Sequence, residues 1–212
     1  MEIKWLGESS FFIKTNISTL LVEPTNEILD SNISNEILDS NIKEHNLICL
    51  YYQEKNDLRS NDDYNLFSGP GEYESGGIAV RGIPTAGTTL NSEKIINTIY
   101  NVELEGMQTA FFGRPSSKFT DSVIRDLGKV DILIIPSNNQ ILDFDQIAYA
   151  VREIEPKLVI LSNQGESGKI SNNVKTLISE LGTQTDIPVK KVNIAKSNLT
   201  ESRQVIVLEE GL

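Results

Sequence analysis

The sequence predicts an α/β (α+β) domain built on mixed β-sheets. Two patterns predict it. Short apolar runs separated by turn residues fill the first half, and buried strands alternate with amphipathic helices through the second. Phe11-Phe12-Ile13-Lys14 and Thr19-Leu20-Leu21-Val22 flank the turn residues Thr15-Asn16-Ile17-Ser18, a hairpin pattern. Residues 46–52 are apolar almost throughout, as in a strand buried on both faces. Residues 78–83 follow a glycine-rich turn and form a fourth strand. Residues 97–104 and 107–112 flank Glu105-Gly106, a two-residue hairpin signal.

In the second half, Thr120 caps a short helix that runs to Leu127 and is ended by Gly128. Residues 130–135 form a buried strand closed by Pro136. Phe144, Ile147, Ala148, Val151 and Ile154 follow helical spacing until Pro156. Residues 158–161 form the next buried strand. Val174, Leu177, Ile178 and Leu181 mark a helix ended by Gly182, and residues 205–208 are a last strand.

The 212 residues fit one large domain or two small ones; we read residues 1–212 as one. Nineteen Lys and Arg against 30 Asp and Glu give a net charge of −11. Such a surface repels phosphate backbones, so no nucleic-acid partner is expected. No apolar run reaches the ~18 residues of a membrane span, and the N-terminus has no signal-peptide pattern, so no membrane association is expected. The single cysteine, Cys49, cannot form an intrachain disulfide, which suits a reducing, cytoplasmic setting. There is also one histidine, His45, whereas a zinc hydrolase draws on several His or Cys ligands.

Residues 26–34 recur as residues 35–43, Asn-Glu-Ile-Leu-Asp-Ser-Asn-Ile in both copies. A nine-residue period puts the copies on opposite helix faces, and two copies are too few for a solenoid. The tandem segment 26–43 therefore reads as a local duplication that lengthens a surface loop or short helix.

Several stretches, taken in order, resemble a known family. They are Lys4-Trp5-Leu6-Gly7 with Ser9-Ser10-Phe11; Gly69-Pro70-Gly71-Glu72-Tyr73-Glu74 with Gly76-Gly77; Arg81-Gly82-Ile83-Pro84-Thr85; Asn97-Thr98-Ile99-Tyr100; Val130-Asp131-Ile132-Leu133-Ile134-Ile135-Pro136; and Ile154-Glu155-Pro156-Lys157-Leu158-Val159-Ile160. Together they are similar to the metallo-β-lactamase-fold hydrolases, in the branch of ascorbate-6-phosphate lactonase. The resemblance implies a four-layer αββα sandwich with metal ligands, for zinc or manganese, on loops at one edge of the two sheets.

Each ligand position that the resemblance implies carries another residue. Glu8 stands for the histidine of the opening motif. In the main ligand loop Tyr52, Glu54 and Asp57 stand for histidines, and Asn56 for the aspartate. Gly87, in Ala86-Gly87-Thr88, falls where a histidine and an aspartate are usual. Arg114 replaces the aspartate of a Gly-Asp pair, and Asn163 replaces the late histidine. With no imidazole at these positions the hydrolytic metal centre of the family, which acidifies a bound water, cannot be rebuilt in its usual form. No metal cofactor is expected. Arg114 sets a fixed cation where a ligand belongs, and is expected to pair with Glu8, Glu54 or Asp57.

Other motifs are weaker. Residues 163–170 resemble a phosphate loop, but lack its first glycine and have Ile170 in place of the metal-binding hydroxyl, which leaves at most an anion site on backbone amides. No serine is placed beside His45 for nucleophilic catalysis. Cys49 reads as an inert core residue and Gly69-Pro70-Gly71-Glu72 as a structural turn. The expectation is a non-catalytic member with a binding or structural role. It would hold a small polar ligand in the former cleft, or act as a subunit of a homo- or hetero-oligomer. The alternative is a hydrolase of the same superfamily with a rebuilt centre.

Overall fold

The computed structural model describes residues 1–30, 46–53, 64–85, 89–90, 93–94, 96–113, 119–135, 144–163, 168–183, 185 and 187–211. Two large mixed sheets form the body. The first contains β1 (Glu2–Trp5), β2 (Phe11–Lys14), β3 (Ser18–Val22), β4 (Asn46–Tyr51), β5 (Asn65–Ser68) and β14 (Lys191–Asn193), in the order β14-β1-β2-β3-β4-β5. The second contains β6 (Gly71–Ser75), β7 (Ile78–Thr85), β10 (Asn97–Leu104), β11 (Met107–Phe111), β12 (Ile132–Ile135), β13 (Leu158–Ser162) and β15 (Gln204–Leu208), in the order β15-β13-β12-β11-β10-β7-β6. A small hairpin pairs β8 (Thr89–Leu90) with β9 (Glu93–Lys94).

Side-chain alternation sorts the core into layers. Ile3, Trp5, Phe11, Ile13, Leu20, Val22, Ile48 and Leu50 face Val80, Tyr100, Val102, Phe111, Ile132 and Ile160 between the sheets. The opposite faces are also covered. Phe12, Leu21, Leu47, Cys49 and Tyr51 pack under α1 (Asn26–Asp30). Leu133, Val159, Leu161, Val205 and Val207 pack under α2 (Asp121–Leu127), α3 (Phe144–Ile154) and α4 (Asn172–Glu180). This is the αββα order that the resemblance implied. It also explains why β4 is buried on both faces, as its unbroken apolar run predicts.

The helices end where the sequence signals. The Thr120 hydroxyl accepts the Val123 N–H, and Gly128 closes α2. Ser171 caps α4 by accepting the Val174 N–H. Just before the duplicated segment, Thr25 Oγ1 accepts the Ile28 N–H, and Ile28, on the first copy's single helical turn, is buried against the first sheet. The second copy, 35–43, lies outside the described residues, as does His45.

Gly69-Pro70 does form a turn, but Gly71-Glu72 opens an edge strand rather than extending it. The turn carries the chain from the edge of the first sheet to the edge of the second. The Tyr73 hydroxyl donates to the Ser68 and Gly69 carbonyls, and its ring stacks on Phe67 at 4.8 Å. A second join lies higher on the same flank. Thr98 N–H donates to Tyr52 O at 2.7 Å, Gln53 pairs with Asn97, and the buried Tyr100 hydroxyl donates to Tyr51 O at 2.7 Å.

The opposite end of the sandwich is tied by carboxylates. Glu105 and Gly106 both take positive φ, 51° and 73°, as a type I′ hairpin turn requires. The Glu105 carboxylate accepts from the Met1 ammonium and from Asn16 N–H. Asp131, 6% exposed, accepts the Gln108 N–H and pairs with Lys129 at 3.1 Å. Burial raises the Asp131 pKa, but the Gln108 and Lys129 hydrogen bonds outweigh it and hold the carboxyl below its usual range. The unfolded chain therefore takes up this proton first. The contribution is complete above the ordinary carboxylate pKa and is lost as pH falls through the lower native value. Lys129 is three-quarters exposed, so the ion pair adds little and the Gln108 bond carries the effect. Asp131→Asn is expected to cost about 1–2 kcal/mol at neutral pH and to flatten the acid limb of a urea-unfolding profile. An acid limb equal to wild type would show that Asp131 does not contribute to it.

Candidate functional site

The loops that the resemblance singles out lie at the end of the sandwich where β4, β11 and β13 run out. Glu8 sits in the turn after β1 with φ 47°, exposed, and its carbonyl accepts Trp5 Nε1–H at 3.0 Å. Gly7, with φ 97°, allows that turn; a Cβ there would lie 2.9 Å from a Glu210 carboxylate oxygen.

Tyr52 follows β4 and is only 2% exposed. Its ring belongs to the inter-sheet core, 6.2 Å from the Tyr100 ring. It also lies against Gly113, just past β11. A Cβ on Gly113 would stand 2.4 Å from Tyr52 Cδ1, and Gly113 has φ 58°. Tyr52 is thus an aromatic wedge between the sheets.

Glu23 was not singled out from sequence. It follows β3 with φ 46°, and its carboxylate accepts Tyr52 N–H at 2.8 Å. Its carbonyl accepts the Ser10 hydroxyl at 2.6 Å. An acid between a strand end and Pro24 was the available signal. Backbone strain of this kind concentrates at functional sites and persists only where neighbouring bonds hold it.

Asn163 follows β13 and is 3% exposed. Its Nδ2 donates to Lys169 O at 2.9 Å and its Oδ1 accepts Ser171 N–H at 3.0 Å. Both ends of the amide are thus spent on bracing the chain ahead of α4. Nearby, Glu209 accepts Gly168 N–H at 2.6 Å. This answers the phosphate-loop resemblance: one backbone amide that an anion would need already holds the protein's own carboxylate.

Glu54, Asn56, Asp57, Gly87 and Arg114 lie outside the described residues, and so does the expected pairing of Arg114. Glu8, Tyr52 and Asn163 are the expected site residues that the structure describes. Two of them do not suit a zinc ion: Tyr52 gives its ring to the core and Asn163 its amide to the loop. Among the described residues, no group of three or more His, Cys, Asp or Glu is placed to hold a metal.

Two mixed sheets face to face, helices outside and loops gathered at one end define a metallo-β-lactamase fold. The chain belongs to the beta-lactamase superfamily domain family, which matches residues 2–161. It is similar in structure to a Thermotoga maritima protein assigned to zinc-dependent hydrolases of the metallo-β-lactamase superfamily, with TM-score 0.68, 14% identity and 99% of each chain covered. It is similar to Igni18, a metallo hydrolase of the archaeon Ignicoccus hospitalis, with TM-score 0.60 and 10% identity over 92% of this chain and 99% of that one. It is also similar to the metallo-β-lactamase fold protein YhfI of Bacillus subtilis, with TM-score 0.56 and 10% identity over 100% and 98%. At such identities the likeness is one of fold. No curated protein sequence matches the chain. Among the described residues no helix is long and apolar enough to cross a membrane.

Proposed function

We propose that this chain is a metallo-β-lactamase-fold protein whose hydrolytic metal site has been dismantled, and that it works by binding or as a structural subunit. Its sequence motifs resemble those of the ascorbate-6-phosphate lactonase branch. The observation that carries the proposal is Asn163. A residue at a ligand position has both polar ends committed to bracing a loop. Tyr52 supports it, since its ring is buried between the sheets against Gly113 and is not offered to the cleft. The count of one histidine in 212 residues supports it from the sequence. Arg114 then stands in for the metal's charge, neutralising the acids of the ligand loop. The remaining cleft takes a small polar ligand, or the chain joins an oligomer with copies of itself or a relative.

The test is the metal content of the purified protein by mass spectrometry, with thermal-shift titrations against Zn²⁺, Mn²⁺, Mg²⁺ and Ca²⁺. A ligand that binds only the native state raises its stability with concentration. We expect far less than one metal per chain and no shift. Near-stoichiometric metal with a clear shift would overturn the proposal and put a rebuilt hydrolase in its place.

A further inference from the structure

The outer face of the first sheet changes character from one strand to the next. Over β2 and β3 it is apolar, with Phe12 and Leu21 buried in the cluster that α1 joins. Toward the β14 edge it is charged. The register sets Lys4 directly opposite Lys191 on β14 and Phe12 on β2, and sets Glu2 opposite Asn193 and Lys14. Cross-strand partners share a face, so Glu2, Lys4, Lys14 and Lys191 lie on the side that Phe12 occupies.

This cluster is not balanced. Glu2 pairs with Lys191 at 2.8 Å and with Lys4 at 3.7 Å, while Lys14 has no ion pair among the described residues. Burial raises the Glu2 pKa, but Lys191, Lys4 and Lys14 together outweigh it and hold the carboxyl below its usual range. One carboxylate thus serves three ammonium groups, which leaves two positive charges in excess. Like charges directly opposite each other, as Lys4 and Lys191 are, destabilise a sheet pair. The Lys191 side chain is 53% exposed and that of Lys4 31%, so a partner reaches both from solvent.

We infer that this face docks an acidic segment of a partner protein, one that presents two neighbouring carboxylates to Lys4, Lys14 and Lys191. Two carboxylates cancel the excess charge. From β14 to β2 is two inter-strand steps, about 10 Å, which such a pair covers. A nucleic-acid duplex or an anionic membrane would run past the patch, over the surface of a chain whose net charge is −11 and whose field repels it. The inference does not depend on the state of the metal site. If the lysines served only to keep a sheet edge from pairing with other chains, no acidic peptide would saturate them.

The experiment is an amide ¹⁵N–¹H NMR titration of the full chain with a capped Glu-Ala-Glu peptide, at neutral pH and low salt. Capped Gln-Ala-Gln, a short DNA duplex and phosphatidylserine vesicles are titrated separately. Saturable shifts centred on Lys4, Lys14 and Lys191 are expected with the acidic peptide, with a Kd of about 1–10 mM. Added salt is expected to weaken that binding several-fold. Lys191→Glu is expected to weaken it by about fivefold or more. Should that variant not fold, Lys14→Gln removes a lysine that has no ion pair to lose, and is expected to weaken binding by about twofold. Absent or non-saturating shifts, equal shifts with the Gln peptide, undiminished binding by either folded variant, or tighter binding of the duplex or the vesicles would overturn the inference.

Discussion

Gly113→Ala is expected to destabilise the protein by about 2–5 kcal/mol: about 1–2 from a side chain in left-handed backbone and about 1–3 from overpacking. Both terms arise at one atom. The new Cβ would be forced to 2.4 Å from Tyr52 Cδ1, with φ at 58°. The ring cannot retreat, since it is 2% exposed and packed between two sheets. Urea unfolding of the two proteins measures the cost, which is large against a typical net stability of about 5–15 kcal/mol. The same change beside Tyr52→Leu is expected to cost less than the two single changes added together, because the clash is shared. Strict additivity would show that Tyr52 does not press on Gly113.

Asn163→Ala is expected to cost about 2–4 kcal/mol, since it leaves two main-chain groups, Lys169 O and Ser171 N–H, without their partner. Its signature is local as well as global. Hydrogen exchange at Ser171 and Val174 is expected to quicken first, because Ser171 is also the cap of α4. Asn163→His introduces an imidazole at the position where the resemblance implies one. It is expected to lose the brace without gaining zinc, measured by mass spectrometry, since Tyr52 still occupies its place in the core. Stoichiometric zinc in that variant would overturn the reading that the metal site has been dismantled.

Much of the architecture was legible because its elements satisfy themselves locally. Thr120 and Gly128 bracket α2, the spacing from Phe144 to Ile154 needs one face buried, and Glu105-Gly106 supplies the two positive φ values of its turn. The strands that escaped notice depend on partners far away in sequence. β14 has an exposed, largely polar pattern and is a strand only because Glu2, Ile3 and Lys4 pair with it. β6 alternates glutamates on an edge, where charges guard against unwanted pairing and blur the apolar signal. At the site, the sequence marked Tyr52 and Asn163 as departures but could not tell what they do. A tyrosine after a buried strand reads equally as a cleft wall or a core wedge, and an asparagine's partners are set by how the following loop turns back. Glu23 was missed for the same reason: its carboxylate finds Tyr52 N–H only after β3 and β4 have paired.

The joins along one flank of the sandwich bear on how the two sheets can move against each other. Thr98 N–H to Tyr52 O, the Gln53–Asn97 pair and Tyr100 to Tyr51 O tie the sheets near the cleft, while the Gly69-Pro70 turn ties their edges. Layers held only by apolar contact can slide, because such contact has no preferred direction. Main-chain hydrogen bonds do have one, and shear would break them together. These joins therefore oppose sliding of one sheet across the other along this flank, and fix the register in which the two layers face each other.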